Sequence, residues 1–409
     1  MENKKCFVFF VIGVSGGTAT LSYRLSVDLI NLGYDVYYVY FINNNKDNIK
    51  LLESSHVNMI YASIDKWVEI GKQIVKKYST SILMAYSFEV FYVLENIKKN
   101  RKNTNIYLYD VRYDNLAYGA CKPKPAFYHN MLNLLNTSYI KSLYRQNKLL
   151  FMDEGCIDTT EKALSITFEK SKDNICRLPY HVGEFPDINK EKRILKISTM
   201  LRVAFPFKSY ILGLVDIYCE LKKKYPKLEL DIIGDGPSFK ELETKIQATC
   251  SEQDINGIHL HGSLPYAQAK NIISGSIVFV GMGTSVLDAV SMGVPSIVVQ
   301  VHNEECKGDF FANNPNNLGY TKEDQVNIIT NHIESVIDLN SYSYIEFCKN
   351  QFESLHRIYG CDNFVIKLQN NPNTNVTFFD RFAYLLHHIN ILITNIVIIP
   401  RIKNKDMDL

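Results

Sequence analysis

The sequence predicts an α/β protein made of two tandem doubly wound domains, each a parallel sheet with helices on both faces. Three observations carry that prediction. At 409 residues the chain exceeds one ordinary core and suits two domains of about 150–200 residues each. Apolar runs alternate with amphipathic stretches, as βαβ units require. The alternation pauses at "LPYHVGEFPDINKEKR", which has prolines, a glycine and a charge run, and then restarts.

In the first half, "CFVFFVIGV" reads as a strand, "TATLSYRLSVDLINLG" as a helix ended by Gly33, and "DVYYVYF" as the next strand. Further strands are expected at "VNMIYA", "TSILMAYS", "NIYLYDV" and "LLFMD", with helices at "IDKWVEIGKQIVKKY" and "FEVFYVLENIKKN". In the second half, the strands "ILKISTM", "LELDIIG", "GIHLHG", "SIVFVG" and "SIVVQV" alternate with helices at "SYILGLVDIYCELKKKYP", "FKELETKIQATCSEQ" and "PYAQAKNIISG". The expected domains are 1–188 and 189–375, with a crossover helix and tail at 376–409.

Composition narrows the function classes. A chain that is 46% hydrophobic and 22% charged is globular rather than disordered or fibrous. A net charge of +2 gives no case for nucleic-acid binding. The first 190 residues carry a net +5 and the remainder −3, so the first domain is the one to face an anionic surface. Nine cysteines, with no Cys-x-x-Cys pair, indicate a reduced cytoplasmic chain without a disulfide framework or structural zinc. Richness in Asn, Lys and Ile reflects an AT-rich genome.

Two segments imitate membrane signals. "MENKKCFVFFVIGVSGG" has the layout of a signal peptide but reads as a buried first strand, because a helix and a second strand follow at once. Residues 382–400 approach spanning length, yet they hold His387, His388, Asn390, Thr394 and Asn395. Their apolar positions follow a helical stripe, so a helix packed on the protein is expected, with an interfacial membrane role second.

Candidate chemistry sits at strand ends. "GVSGGTAT" puts Gly16 and Gly17 before a helix N-terminus, where free N–H groups favour an anion; a plain strand–helix turn is the alternative. No lysine follows in phosphate-loop spacing, which argues against a Walker-type ATPase. "LRVAFPFK" places Arg202 and Lys208 just past a strand, suiting a diphosphate or simply a charged surface. "IIGDGP", with Gly234 and Asp235, is by itself a turn. "GMGTSVLD" joins a glycine-rich helix start (Gly281, Gly283, Thr284 and Ser285) to the carboxylate of Asp288.

Taken in order along two doubly wound halves, these segments resemble the GT-B glycosyltransferases, most closely glycosyltransferase family 4. "ICRLPYHVGEF" is similar to that family's interdomain segment, and "IIGDGP" with "GMGTSVLDAVSMGVP" to its paired donor-site segments. The resemblance implies a GT-B fold with two Rossmann-like domains facing a central cleft and a C-terminal helix crossing back to the first. Arg202 and Lys208 would neutralise the donor diphosphate; Gly281, Gly283, Thr284 and Ser285 would contact phosphate. Asp288 would bind ribose, with Gly234 and Asp235 on the donor side, and Gly16 and Gly17 would admit donor or acceptor. Cations and helix dipoles would stabilise the leaving group, so no metal or other cofactor is expected. One departure stands out: of the family's two glutamates eight positions apart, the second matches Asp288 but the first falls on Val280.

Acceptor-side candidates in the first half are Asp110, Arg112 and Asp114 in "YDVRYDN" and Glu154 in "FMDEG", each also a common turn or capping residue. The Asp-x-Asp of metal-dependent GT-A enzymes occurs only as a terminal "DMD". The expected protein is a bacterial, retaining, metal-independent transferase. It would move a sugar, expected from a UDP-sugar, to a hydroxyl of a glycan or lipid-linked glycan in surface polysaccharide biosynthesis. It would be cytoplasmic, with peripheral contact at an anionic membrane through "IKKNRKN" and "CKPKPAF" as one option. A non-catalytic nucleotide-sugar-binding subunit and a GT-B UDP-sugar 2-epimerase are the rival readings.

Overall fold

The computed structural model describes residues 4–13, 17–42, 52, 53, 55–99, 101–111, 137–168, 174–319, 326–370, 372–374, 380 and 385. The chain forms two compact units, Met1–His181 with Cys361–Leu409, and Val182–Gly360.

The first unit is built on β1 (Lys5–Gly13), β2 (Tyr34–Ile42), β3 (Asn58–Tyr61), β4 (Thr80–Ala85), β5 (Thr104–Asp110) and β6 (Leu149–Phe151). They pair in the order β3-β2-β1-β4-β5-β6, every pair parallel, which is the doubly wound order. β1 is central because its side chains are buried on both faces. Val8 and Phe10 join Trp67, Phe91 and Leu94 on one side of the sheet. Phe7 and Phe9 join Leu25, Leu29, Phe364 and Leu368 on the other. The apolar run that imitates a signal peptide is this strand.

The second unit contains β7 (Ile194–Met200), β8 (Glu229–Ile233), β9 (Ile258–Gly262), β10 (Ser276–Gly281), β11 (Ser296–Val299), β12 (Lys307–Phe310) and β13 (Asn327–Ile328). Their order is β13-β12-β11-β10-β7-β8-β9. From β9 to β11 all pairs are parallel, and the sheet then turns antiparallel through β12 and β13. The helix Tyr210–Lys224 buries Tyr210, Ile211, Leu214, Val215, Tyr218 and Leu221, spaced at three and four residues, on this sheet's core.

Three features differ from the sequence expectation. The boundaries fall at Val182 and Gly360 rather than at 188 and 375. The helix Cys361–Asn370 returns to the first unit, because Phe364, Val365 and Leu368 fill its core and the Tyr107 hydroxyl donates to the Leu368 carbonyl at 2.8 Å. The antiparallel edge of β12 and β13 carried no apolar run that would announce it, since its strands are short and half exposed. The helix expected across residues 382–400 lies outside the described residues except for Leu385. Among the described residues, no helix is long and apolar enough to cross a membrane.

Candidate anion site at a strand-order switch

In the second unit the winding reverses between β7 and β10, and ligands of open α/β sheets bind at the carboxyl ends of such a pair. The chain leaving β7 is laced to the chain leaving β8. The Leu201 N–H donates to the Ile233 carbonyl at 2.9 Å and the Val203 N–H to the Asp235 carbonyl at 3.1 Å. The Ser238 N–H returns to the Val203 carbonyl at 3.1 Å, and the Ser238 hydroxyl accepts from the Phe205 N–H at 3.0 Å. Gly234 makes this contact possible: its φ is +125°, and a Cβ there would lie 1.8 Å from the Leu201 oxygen. The Asp235 carboxylate accepts from the Gly236 N–H at 2.6 Å. Gly234 and Asp235, expected on the donor side, thus serve the backbone that holds the Arg202 loop.

That loop carries the two cations. Arg202 is exposed and Lys208 half-buried, and neither side chain has a hydrogen-bond or ion-pair partner among the described residues. Burial pushes the Lys208 ammonium down to about 8, and no carboxylate offsets it. An ammonium desolvated without a counter-charge is poised to gain from an arriving anion.

The turn after β10 meets the same region. Gly283, at φ +70°, precedes the helix Thr284–Ser291, and its N–H donates to the Leu318 carbonyl at 2.7 Å. The Val301 N–H donates to the Gly319 carbonyl at 3.0 Å, and the His302 N–H to the Phe207 carbonyl at 3.2 Å. The chains following β7, β10 and β11, together with the segment at Leu318–Gly319, therefore form one backbone network at one end of the sheet. That network joins the loop of Arg202 and Lys208 to the turn at Gly283, Thr284 and Ser285, where a helix presents its first N–H groups. Thr284 is exposed, whereas Ser285 is buried and its hydroxyl donates to the Met282 carbonyl at 3.0 Å. Gly281 is buried at the strand end, with the Phe279 ring where a Cβ would stand.

Asp288 lies one turn further in and is 3% exposed. Its carboxylate accepts from the Tyr266 hydroxyl at 2.7 Å. Tyr266 begins the helix Tyr266–Ser274 and leaves 46% of its surface open. Val280 is fully buried in the core of the unit, so nothing polar is offered from that position. Tyr266 and His302 went unread in the sequence. Tyr266 stands 22 residues from its partner, and no local pattern reports such a contact.

At the carboxyl edge of the first sheet, Gly17 opens the helix Gly17–Asn31, while Gly16, Arg112 and Asp114 lie outside the described residues. Asp110 ends β5 fully buried. Glu154 starts the helix Glu154–Leu164 and is clasped by Arg177 at 2.6 and 2.7 Å, with Asp153 capping that helix at the Cys156 N–H. Among the described residues no group of three or more His, Cys, Asp or Glu is placed to hold a metal ion.

Comparison with solved structures decides the fold. A TarM variant of S. aureus, solved with fondaparinux, alpha-GlcNAc-glycerol and UDP, superposes at a TM-score of 0.58 and 12% identity, covering 91% of this chain and 100% of that one. The chain has the GT-B fold of the glycosyltransferases. A glycosyltransferase of Rickettsia africae matches at TM-score 0.59 and 14% identity over 90% of this chain and 97% of its own. HepE of Anabaena, solved with UDP and glucose, matches at 0.54 and 11% over 90% and 98%. No protein-family profile and no curated protein sequence matches the chain.

Proposed function

We propose that this GT-B protein is a glycosyltransferase that moves a sugar from a nucleotide-sugar donor, a UDP-sugar, to a hydroxyl of a glycan or lipid-linked glycan in surface polysaccharide synthesis. The reading is carried by the pair of unpartnered cations, Arg202 and Lys208, on a loop that backbone hydrogen bonds link to the turn before the Thr284 helix. Structural neighbours with UDP bound, TarM and HepE, support the donor class.

In the proposed reaction the anomeric carbon–oxygen bond to the diphosphate breaks and a bond to the acceptor oxygen forms, the hydroxyl proton passing to an oxygen of the departing diphosphate. Charge accumulates on the departing diphosphate. Arg202 supplies a planar fork and Lys208 a point charge to meet it, and the N–H groups at Thr284 and Ser285 add fixed dipoles. These groups supply the charge that a divalent ion supplies elsewhere, so the proposed transfer is metal-independent. Asp288 is the proposed ribose contact, reached once its Tyr266 bond is shared or displaced. Retention of configuration is part of the proposal and is read from the anomeric proton coupling of the product. The proposed location is the cytoplasm. A peripheral membrane contact through the first unit is supported by exposed Lys72, Lys76, Lys77, Lys99 and Lys102. Sedimentation with anionic but not neutral vesicles tests it.

Calorimetric titration with UDP, followed by hydrolysis and transfer assays over a panel of UDP-sugars, tests the function. Absence of UDP and GDP binding rejects it. The buried Val280 favours one second reading, a non-catalytic nucleotide-sugar-binding subunit. UDP binding without turnover on any donor selects that reading.

A further inference from the structure

The donor-site reading leaves one residue of the network unassigned. We propose that His302 is a third ligand of the departing diphosphate, acting with Arg202 and Lys208; this rests on the donor-site reading above. His302 lies in the turn between β11 and β12, exposed, with φ +54°. A left-handed backbone is uncommon for a residue with a side chain and persists where the surroundings enforce it.

Here the enforcement is visible. The Gln300 N–H donates to the Lys307 carbonyl at 3.0 Å, and the Lys307 N–H to Asn303 Oδ1 at 3.1 Å, closing the hairpin. Its tip rests on Gly213, where a Cβ would stand 2.3 Å from the Glu304 oxygen. Gly213 belongs to the helix Tyr210–Lys224, and Lys208 lies two residues before that helix begins. The His302 N–H then donates to the Phe207 carbonyl at 3.2 Å, and the two rings meet edge to face at 5.5 Å. The imidazole is therefore fixed against the residue that adjoins Lys208. Neither ring nitrogen has a partner among the described residues. Imidazole donates one N–H when neutral and two when protonated, so it can serve a phosphate oxygen in either state.

Titrations of UDP and of uridine against wild-type protein and the variants His302→Gly, His302→Asn and Arg202→Ala test the assignment. Gly accepts the left-handed backbone freely and Asn tolerates it, so both keep the hairpin. The expected result is a loss of UDP affinity of about 5- to 20-fold in His302→Gly, the size of one charge-assisted hydrogen bond. His302→Asn should fall between that variant and wild type, because its amide still donates, and uridine affinity should be unchanged in both. UDP affinity retained in His302→Gly but lost in Arg202→Ala overturns the role of His302 and leaves the donor site standing. An equal fall for UDP and uridine marks a loop-shaping residue and likewise overturns it. A wild-type protein that binds no UDP removes the donor site itself, and this proposal with it.

Discussion

The two sheets share an order through six strands, the first five of them parallel in both, yet their carboxyl edges carry different chemistry. In the second unit the edge offers Arg202 and Lys208 without partners among the described residues, on a loop linked by backbone hydrogen bonds to the helix start at Thr284. In the described part of the first, charge is already consumed: Glu154 is held by Arg177 and Asp153 by a helix cap. What that edge exposes instead is apolar, through Ile12, Phe41, Ile42 and Tyr61 at the ends of three neighbouring strands. The same winding thus leaves unpartnered cations at one edge and none at the described edge of the other. The architecture sets the location; partnered or unpartnered charge sets the chemistry.

The largest expected effect comes from breaking the second edge at its backbone. Gly234→Ala would force a Cβ to within 1.8 Å of the Leu201 oxygen at φ +125°. A loss of about 4 kcal/mol or more in urea unfolding is expected. A stability within 1 kcal/mol of wild type, by the same measurement, would show that the Arg202 loop does not depend on this crossing.

Next, Arg202→Ala and Lys208→Ala should each weaken UDP binding about 10- to 100-fold by calorimetry, as loss of a charge-assisted contact does. Lys208 also predicts a pH dependence. With the ammonium depressed to about 8 in the empty site, it is charged below that pH and increasingly neutral above it. A bound diphosphate favours the charged form, so binding above pH 8 must take up a proton. UDP affinity should therefore fall as pH rises from 8 towards 10, and Lys208→Arg should flatten that fall.

A smaller effect is expected from Tyr266→Phe, which removes one hydrogen bond to the buried Asp288. Its cost should be about 1 kcal/mol in thermal or urea unfolding, because Asp288 keeps another interaction. The smallest belongs to the first edge. Glu154→Gln loosens an ion pair whose carboxylate side is 60% exposed, which is worth below about 1 kcal/mol. Turnover should be unchanged once an acceptor is in hand; a hundredfold fall in kcat would return Glu154 to the catalytic candidates.

Much of the architecture was legible because parallel strands buried on two faces read as unbroken apolar runs, as in "CFVFFV" and "SIVFV". The turn from strand to helix at Gly281–Thr284 was legible too, since a strand end followed by glycines and a helix leaves few alternatives. What escaped was contact across distance. The packing of the Gly234–Asp235 turn on the Arg202 loop was hidden because a sequence does not display a neighbouring loop. The Tyr266 hydroxyl on Asp288 went unseen because the two are remote in sequence, and His302 was silent because its strain exists only once the hairpin has closed. A helix crossing back to the first unit was expected, but at 376–409; its place at Cys361–Asn370 escaped because an apolar stripe says that a segment packs, not on which unit.

That returning helix has a consequence for how the chain comes to be folded. The core of the first unit takes Phe364, Val365 and Leu368 from the far end of the sequence, and Gln369 reaches the Tyr34 hydroxyl at 2.7 Å. The second unit, by contrast, is one uninterrupted stretch, Val182–Gly360. During synthesis the sheet of residues 5–151 must therefore wait for residues 361–370, which follow the whole second unit, while Val182–Gly360 can complete itself. Once residues 182–360 have cleared the ribosome and residues 361–370 have not, the second unit should be complete while the first still lacks Phe364, Val365 and Leu368 from one flank of its sheet.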